Sequence, residues 1–247
     1  MVVAVADRAA DVTVQVRQLF DAKAAAWPSK YTPDGRLAGR LASLAGAVTY
    51  HVSAGGCVLD LGCGTGELAS VIAAAGMRAT GCDISPEMLH RATAADPARM
   101  VGWVQLDPGW RRLPFESATF DAVVAASVLE YVDDPTAVLR ECCRVLRPGG
   151  TLLCTVPDPH HPIRWLEWLL GIAAQVPLVR AAGRRWPRLD GYLTYLRISR
   201  QRHSSRWWRT VATRAGLLDV RYAADSSERS PLLELTFQRP NEMRNDT

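Results

Sequence analysis

Apolar residues recur at helical spacing over residues 1–50, with no strand-like alternation. Val12, Val16, Leu19 and Phe20 make one stripe and Leu37, Leu41, Leu44 and Val48 a second, which predicts two amphipathic helices. The run from Trp27 to Gly35 between them carries Pro28, Pro33 and Gly35 and breaks the pattern. From Cys57 the rhythm changes. Short apolar, β-branched runs at 57–61, 77–82, 101–106, 120–126 and 150–156 predict strands, and the segments 66–75, 86–95 and 135–146 between them predict helices. Ser85-Pro86-Glu87 places a serine cap before a proline at the first helical position, and Asp134-Pro135 repeats the arrangement. Arg147-Pro148-Gly149-Gly150 reads as a helix stop followed by a tight turn into the next strand. Strands spaced by helices predict an α/β fold with a parallel, doubly wound sheet, whose ligands sit outside the C-terminal ends of the strands.

Residues 157–203 break that rhythm. Pro157, Pro159 and Pro162 end a strand, a bulky segment with Trp165 and Trp168 runs from Ile163 to Val179, and a basic, Trp-containing stretch continues to Arg202. Ser204 to Ala215 is helical again, and Leu217–Tyr222 and Leu232–Phe237 read as two further strands. The division expected is an N-terminal helical cap (1–50), a ligand-binding domain (51–157 and 204–238), a Trp/Arg-rich insertion (158–203) and a flexible polar tail (239–247).

Composition excludes some classes. At 247 residues, with 48% hydrophobic and 22% charged residues and a net charge of +4, the chain is an ordinary globular one. There is no apolar run of the roughly eighteen residues a spanning helix needs, and no signal-peptide order at the N-terminus, so a cytoplasmic protein is expected. The six cysteines form no C-x-x-C pair and have no histidine cluster beside them, which predicts neither a metal site nor a disulfide framework. Charge is uneven: eleven arginines lie between His160 and Arg214 against two acids, Glu167 and Asp190.

The candidate chemistry begins at Val58-Leu59-Asp60-Leu61-Gly62-Cys63-Gly64-Thr65-Gly66, a strand running into a glycine turn and a helix start. Such a turn lets backbone approach a ligand closely. The glycines alone allow any nucleotide, a nicotinamide cofactor included. Asp60 narrows this, because a carboxylate there repels phosphate and welcomes an ammonium or sulfonium group. Asp83 closes the second strand, where a carboxylate can accept both hydroxyls of a ribose. Asp107 ends the third, where one can accept from an adenine amino group.

With Leu113-Pro114-Phe115, Phe120-Asp121-Ala122-Val123-Val124 and Val145-Leu146-Arg147-Pro148-Gly149-Gly150 in the same order, residues 57–156 resemble the class I S-adenosylmethionine-dependent methyltransferases, in particular the type 11-like, small-molecule group. The resemblance implies a Rossmann-like seven-stranded sheet with the last strand antiparallel, S-adenosylmethionine as cofactor, no metal, and methyl transfer by in-line displacement to a small, partly apolar acceptor. It implies that Gly62, Cys63 and Gly64 line the methionine part of the cofactor and that Asp60 faces its amino group. Asp83 would hold the ribose, with Ile84 against the adenine, and Ala126 and Ser127 would offer backbone carbonyls. The run from Phe20 to Tyr31 is similar to the cap helix of quinone and small-molecule methyltransferases, which brings Lys30 and Tyr31 to the cofactor carboxylate. The link from Asp107 to Leu113 is longer here than the family's, and Tyr131 stands where the family often has histidine.

Catalysis is less defined. His160, His161 and Tyr131 are the candidates for a base, should the acceptor be a hydroxyl, although a tyrosine with an ordinary pKa near 10 is a poor one. The same histidines also read as exposed loop residues. The insertion reads first as a lid over an apolar acceptor, then as packing, then as a membrane-surface element. Its tryptophans resemble a core stripe more than stacking platforms, which argues against a nucleic-acid partner. The alternative to an enzyme is a non-catalytic S-adenosylmethionine-binding regulator or scaffold, and after it an NAD-type oxidoreductase.

Overall fold

The strand ahead of the glycine turn, β1 (Cys57–Leu61), is an interior strand of a seven-stranded sheet. The protein is described by a computed structural model covering residues 2–173, 186–220 and 230–241. The remaining strands are β2 (Arg78–Asp83), β3 (Val101–Gln105), β4 (Phe120–Ala126), β5 (Leu146–Pro157), β6 (Leu218–Asp219) and β7 (Leu232–Gln238), in the spatial order β3-β2-β1-β4-β5-β7-β6. All pairs from β3 to β5 are parallel, and β7 runs antiparallel to both of its neighbours. The chain winds outward from β1 to β3, then returns to place β4 on the other side of β1. That reversal opens a crevice between the C-terminal ends of β1 and β4.

Side-chain alternation along the strands divides the core in two. Leu59, Leu61, Val123 and Ala125 face α5 (Pro135–Val145) and α8 (Ser205–Arg214), packing with Leu139, Cys142, Trp208 and Val211. Val58, Ala122 and Val124 face the other way, onto Leu44 and Val48 of α2 (Ala38–His51) and Ile72 of α3 (Glu67–Ala74). Most of these side chains are fully buried, and each contributes about 1.5–3 kcal/mol over an exposed one. α4 (Pro86–Ala95) begins where expected: Ser85 Oγ accepts from Met88 N at 3.1 Å, with Pro86 at the first position.

A third, smaller core lies above the strand ends. Val12, Val16 and Leu19 of α1 (Val2–Lys23) pack on Ile198 of α7 (Pro187–Ile198), together with Phe20, Ile84, Tyr131 and Tyr195. α1, near the start of the chain, and α7, from the insertion, thus pack on each other. α6 (Ile163–Ala173) lies against α7.

Two expectations change. β5 starts at Leu146, so Arg147-Pro148-Gly149-Gly150 lies inside the strand and does not precede it. Leu146 pairs with Phe120 and Thr151 with Ala122, so four residues bulge opposite Asp121. Asp121 holds the bulge: its carboxylate accepts from Arg147 Nη1 at 2.6 and 2.7 Å and from Cys57 N at 2.7 Å. Arg239, assigned above to a flexible tail, is tied in as well. Its backbone N donates to Gly150 O at 2.9 Å, and its guanidinium reaches the carbonyls of Cys143, Arg144 and Leu146. Residues 242–247 of that tail, 221 and 222 of the sixth predicted strand and 174–185 of the insertion lie outside the described residues.

Candidate functional site

A cavity of about 620 Å³ occupies the crevice between the ends of β1 and β4, roofed by α1 and the first turns of α2. Its floor is the glycine turn. Gly62 and Gly64 have φ of 71° and 56°, a left-handed conformation that side chains resist. A Cβ on Gly62 would strike the Val128 side chain, and one on Gly64 would come within 3.2 Å of Trp27 Nε1. The turn is anchored to β2, since Gly62 N and Cys63 N both donate to Cys82 O at 2.7 and 3.1 Å. Ser127, just after β4, has φ of 56° without being glycine, a strained position on the cavity wall. Arg40 Nη1 donates to its hydroxyl at 2.7 Å.

One end of the cavity is charged. Asp60 is 3% exposed, and among the described residues its Oδ2 has no hydrogen-bond partner. Burial, and then the Asp83 charge, raise its pKa to about 7. A buried carboxylate oxygen without a donor is costly unless a ligand cation or water serves it. Asp83 accepts from Ser85 N through Oδ1 at 2.8 Å and from Gly64 N through Oδ2 at 2.9 Å, which leaves one lone pair on each oxygen for a diol. Burial raises its pKa, and those two N–H bonds oppose the rise. On the same cavity lining, Lys30 sits 3.2 Å over the Trp27 ring. Burial, and then the charge of Arg36, bring its pKa down to about 7. Lys23, Arg36 and Arg40 line the same wall. Acids and bases brought together in this way match a zwitterionic amino-acid head, and Asp83 matches a ribose.

The other end is aromatic. Phe20 packs edge-on against Tyr131 at 5.4 Å, Tyr131 against Tyr195 at 6.4 Å, and Tyr192 stacks with Tyr195 at 5.8 Å. Beside them lies Glu130, 2% exposed, accepting from Ser199 Oγ at 3.3 Å and hydrogen-bonded to Tyr131. Burial raises its pKa. Arg164 and Glu167 of α6 form a 2.5 Å ion pair at the rim.

Of the residues expected to serve the cofactor, Lys30, Tyr31, Asp60, Gly62, Cys63, Gly64, Asp83, Ile84, Ala126 and Ser127 all line this one cavity. Asp107 is exposed and does not, although Leu106 and Pro108 on either side of it do. Neither His160 nor His161 lines the cavity. His160 is exposed with its backbone N on Asp158 Oδ1, and His161 Nδ1 accepts from Ile163 N at 3.3 Å. Tyr131 does line it, but burial and the Glu130 charge push its hydroxyl pKa well up, away from a base. Arg36, Arg40, Glu130 and Tyr195 were not anticipated. Glu130 alone left a trace, an acid inside the apolar Val128-Leu129-Glu130-Tyr131-Val132 run.

Comparison with known proteins agrees with this geometry. Residues 59–154 match a family described as a methyltransferase domain. The ubiquinone/menaquinone biosynthesis C-methyltransferase UbiE of Desulfotalea psychrophila is 32% identical over 174 residues, covering 68% of each chain. A ubiquinone biosynthesis O-methyltransferase of Xanthomonas oryzae pv. oryzae is 39% identical over 106 residues, 40% of this chain and 42% of that one. In fold, the chain is similar to the magnesium protoporphyrin IX methyltransferase of Synechocystis PCC 6803 with bound SAH, at a TM-score of 0.67 and 18% identity, covering 91% of this chain and 98% of that one. With a buried Asp60 oxygen that lacks a donor among the described residues, a carboxylate open to a diol, and a relative 32% identical over 68% of each chain, the chain belongs to the class I S-adenosylmethionine-dependent methyltransferases.

Proposed function

We propose that this methyltransferase acts on an aromatic, lipophilic small molecule carrying a ring hydroxyl, bound at the tyrosine-lined end of the cavity. The observation that carries this reading is the division of one cavity into a charged end and an aromatic end. The names of the relatives point the same way, since two of them act in quinone biosynthesis. When bound, S-adenosylmethionine supplies an electrophilic methyl on a sulfonium. Asp60 takes the ammonium of its methionine part, Lys30, Tyr31 and Arg40 its carboxylate, and Asp83 its ribose, with Ile84 against the adenine. The glycine turn and Ala126–Ser127 supply the close backbone wall. Phe20, Tyr131 and Tyr195 hold the acceptor ring in line with the methyl, so orientation supplies much of the rate. We read α6 and α7, the described helices of the insertion, as the cover of this end, because Ile163, Arg164, Glu167, Tyr192 and Tyr195 from them all line the cavity. We assign the protein to the cytoplasm, a reading supported by six free cysteines.

The geometry favours Glu130 over the histidines as the group that takes the hydroxyl proton. It is a buried carboxylate on the cavity wall beside Tyr131, and burial raises its pKa above the ordinary carboxylate value. Calorimetry with S-adenosylhomocysteine, followed by transfer of a labelled methyl to hydroxylated rings with and without an apolar tail, tests the reading. Transfer is expected to the tailed rings. Glu130→Gln is expected to lower kcat by about 10²–10⁴ with cofactor affinity unchanged. Cofactor binding without transfer to any such ring, or a Glu130→Gln enzyme of undiminished kcat, refutes the corresponding part.

A further inference from the structure

With the ribose on Asp83, the base lacks its expected partner, because Asp107 is exposed and does not line the cavity. The base is bonded to that ribose, so it lies beside Asp83. Ile84 follows Asp83 in the chain, and the link leaving β3 runs next to it in space. Gln105 pairs with Asp83 in the sheet, and Leu106 N donates to Asp83 O at 2.8 Å. From this link Leu106, Pro108, Gly109, Trp110 and Arg111 all line the cavity.

Local chemistry shapes the link. Asp107-Pro108-Gly109-Trp110 is a type II turn, with proline at its second position, Gly109 at its third with φ of 77°, and Trp110 N donating to Asp107 O at 3.1 Å. At its two ends Asp107 is exposed, and Trp110 is half-buried on the cavity wall, packed on the core that holds Leu106 and Leu113. None of the link's cavity-lining side chains accepts a hydrogen bond. Leu106 and Pro108 are apolar, Gly109 has no side chain, and the Trp110 indole and the Arg111 guanidinium only donate. Asp133 and Asp134 line the cavity too, but Asp133 pairs with Arg200 at 3.5 Å and Asp134 caps α5, accepting from Ala137 N at 3.0 Å. The 6-amino group of adenine is a donor, and this link offers no side chain to receive it. An indole holds a purine by its face, whatever the ring carries at position 6. We propose that Trp110 receives the purine ring of the cofactor and that the pocket does not read its 6-amino group. The inference rests on the assignment of Asp83 to the ribose made above and adds base specificity to it.

Calorimetry, with no turnover, tests this. The wild type should bind S-inosylhomocysteine, whose base carries an oxygen in place of the amino group, within about threefold of S-adenosylhomocysteine. A pocket built to accept from the amino group would lose about tenfold or more, because its acceptor would meet another acceptor. This comparison needs no variant. Trp110→Ala should raise both Kd values alike by about five- to a hundredfold, and Trp110→Phe should recover most of the loss. Asp107→Asn should leave both within about twofold. Discrimination of tenfold or more against the inosyl ligand overturns the proposal, as does a Trp110→Ala protein that binds like the wild type or an Asp107→Asn protein with a raised Kd. If Asp83→Asn still weakens both ligands, such a result removes the base assignment alone. Asp83→Asn without effect removes the ribose assignment and the base assignment with it.

Discussion

Asp60 and Lys30 both line the charged end, each displaced by burial to a pKa of about 7. The displacements have opposite consequences for binding. A ligand ammonium favours ionised Asp60, so below about pH 7 binding must expel a proton and affinity falls as pH drops. A ligand carboxylate favours protonated Lys30, so above about pH 7 binding must take one up and affinity falls as pH rises. Cofactor affinity is therefore expected to peak near neutrality and to decline by up to about tenfold per pH unit on either side. Calorimetry in buffers of different ionisation enthalpy should find proton release on the acid side and uptake on the basic side, and a flat profile from about pH 6 to about 8.5 removes both contacts. Asp83 makes a separate prediction. Asp83→Asn keeps one acceptor for two backbone N–H groups and loses the charge, and should raise the cofactor Kd about ten- to a hundredfold and cost about 1–3 kcal/mol of stability. An unchanged Kd would end its assignment to the ribose.

At the scale of elements, the methyltransferase motifs separate into those that face the ligand and those that hold the sheet. Phe120-Asp121 and Leu146-Arg147-Pro148-Gly149-Gly150 read as separate signatures, and the structure joins them as two sides of one bulge. The Asp121–Arg147 pair is well solvated, with side chains 32% and 41% exposed, so it contributes modestly. Asp121 also serves Cys57 N. Asp121→Ala should cost about 1–2 kcal/mol in chemical denaturation and leave cofactor Kd within about twofold. A large loss of affinity would mean that the bulge positions the site. α1 is coupled to the site more directly, because Asp21 accepts from the Ser85 hydroxyl at 2.5 Å, beside Asp83.

For the molecule as a whole, the acceptor end depends on a charge network. Glu167, 5% exposed, accepts from Arg164, Arg202 and Tyr192, and so joins α6 and α7 to the segment ahead of α8. Burial works against its ionisation, but the two arginines hold its carboxyl below the ordinary range. That contribution is present at neutral pH and is lost as pH falls through the depressed pKa. Glu167→Ala leaves Arg164 and Arg202 with carbonyl acceptors but without their shared carboxylate, and should cost up to about 3–5 kcal/mol, or release α6 and α7 locally. Hydrogen exchange distinguishes these: faster exchange confined to α6 and α7 indicates local release, and a lowered global transition indicates loss of the whole fold.

The Rossmann-like sheet, its helices and the cofactor end were legible in the chain because they are local. Period-two and helical stripes, a Ser-Pro cap and a strand-glycine-helix junction each occupy a few consecutive residues, and Asp60 and Asp83 are placed by the strands they end. The bulge in β5 was not legible, since it exists only through pairing with β4. Nor were Arg40 on Ser127, Glu130 beneath Ser199, or α1 packed on α7, because residues separated by tens or hundreds of positions meet there only after the sheet is wound. The outward tryptophans of α6, Trp165 and Trp168, belong with them. As sequence, the Trp165–Ile172 stripe is the mark of a buried face, and only the surrounding fold, which takes Arg164 and Glu167 inward, turns it toward the outside.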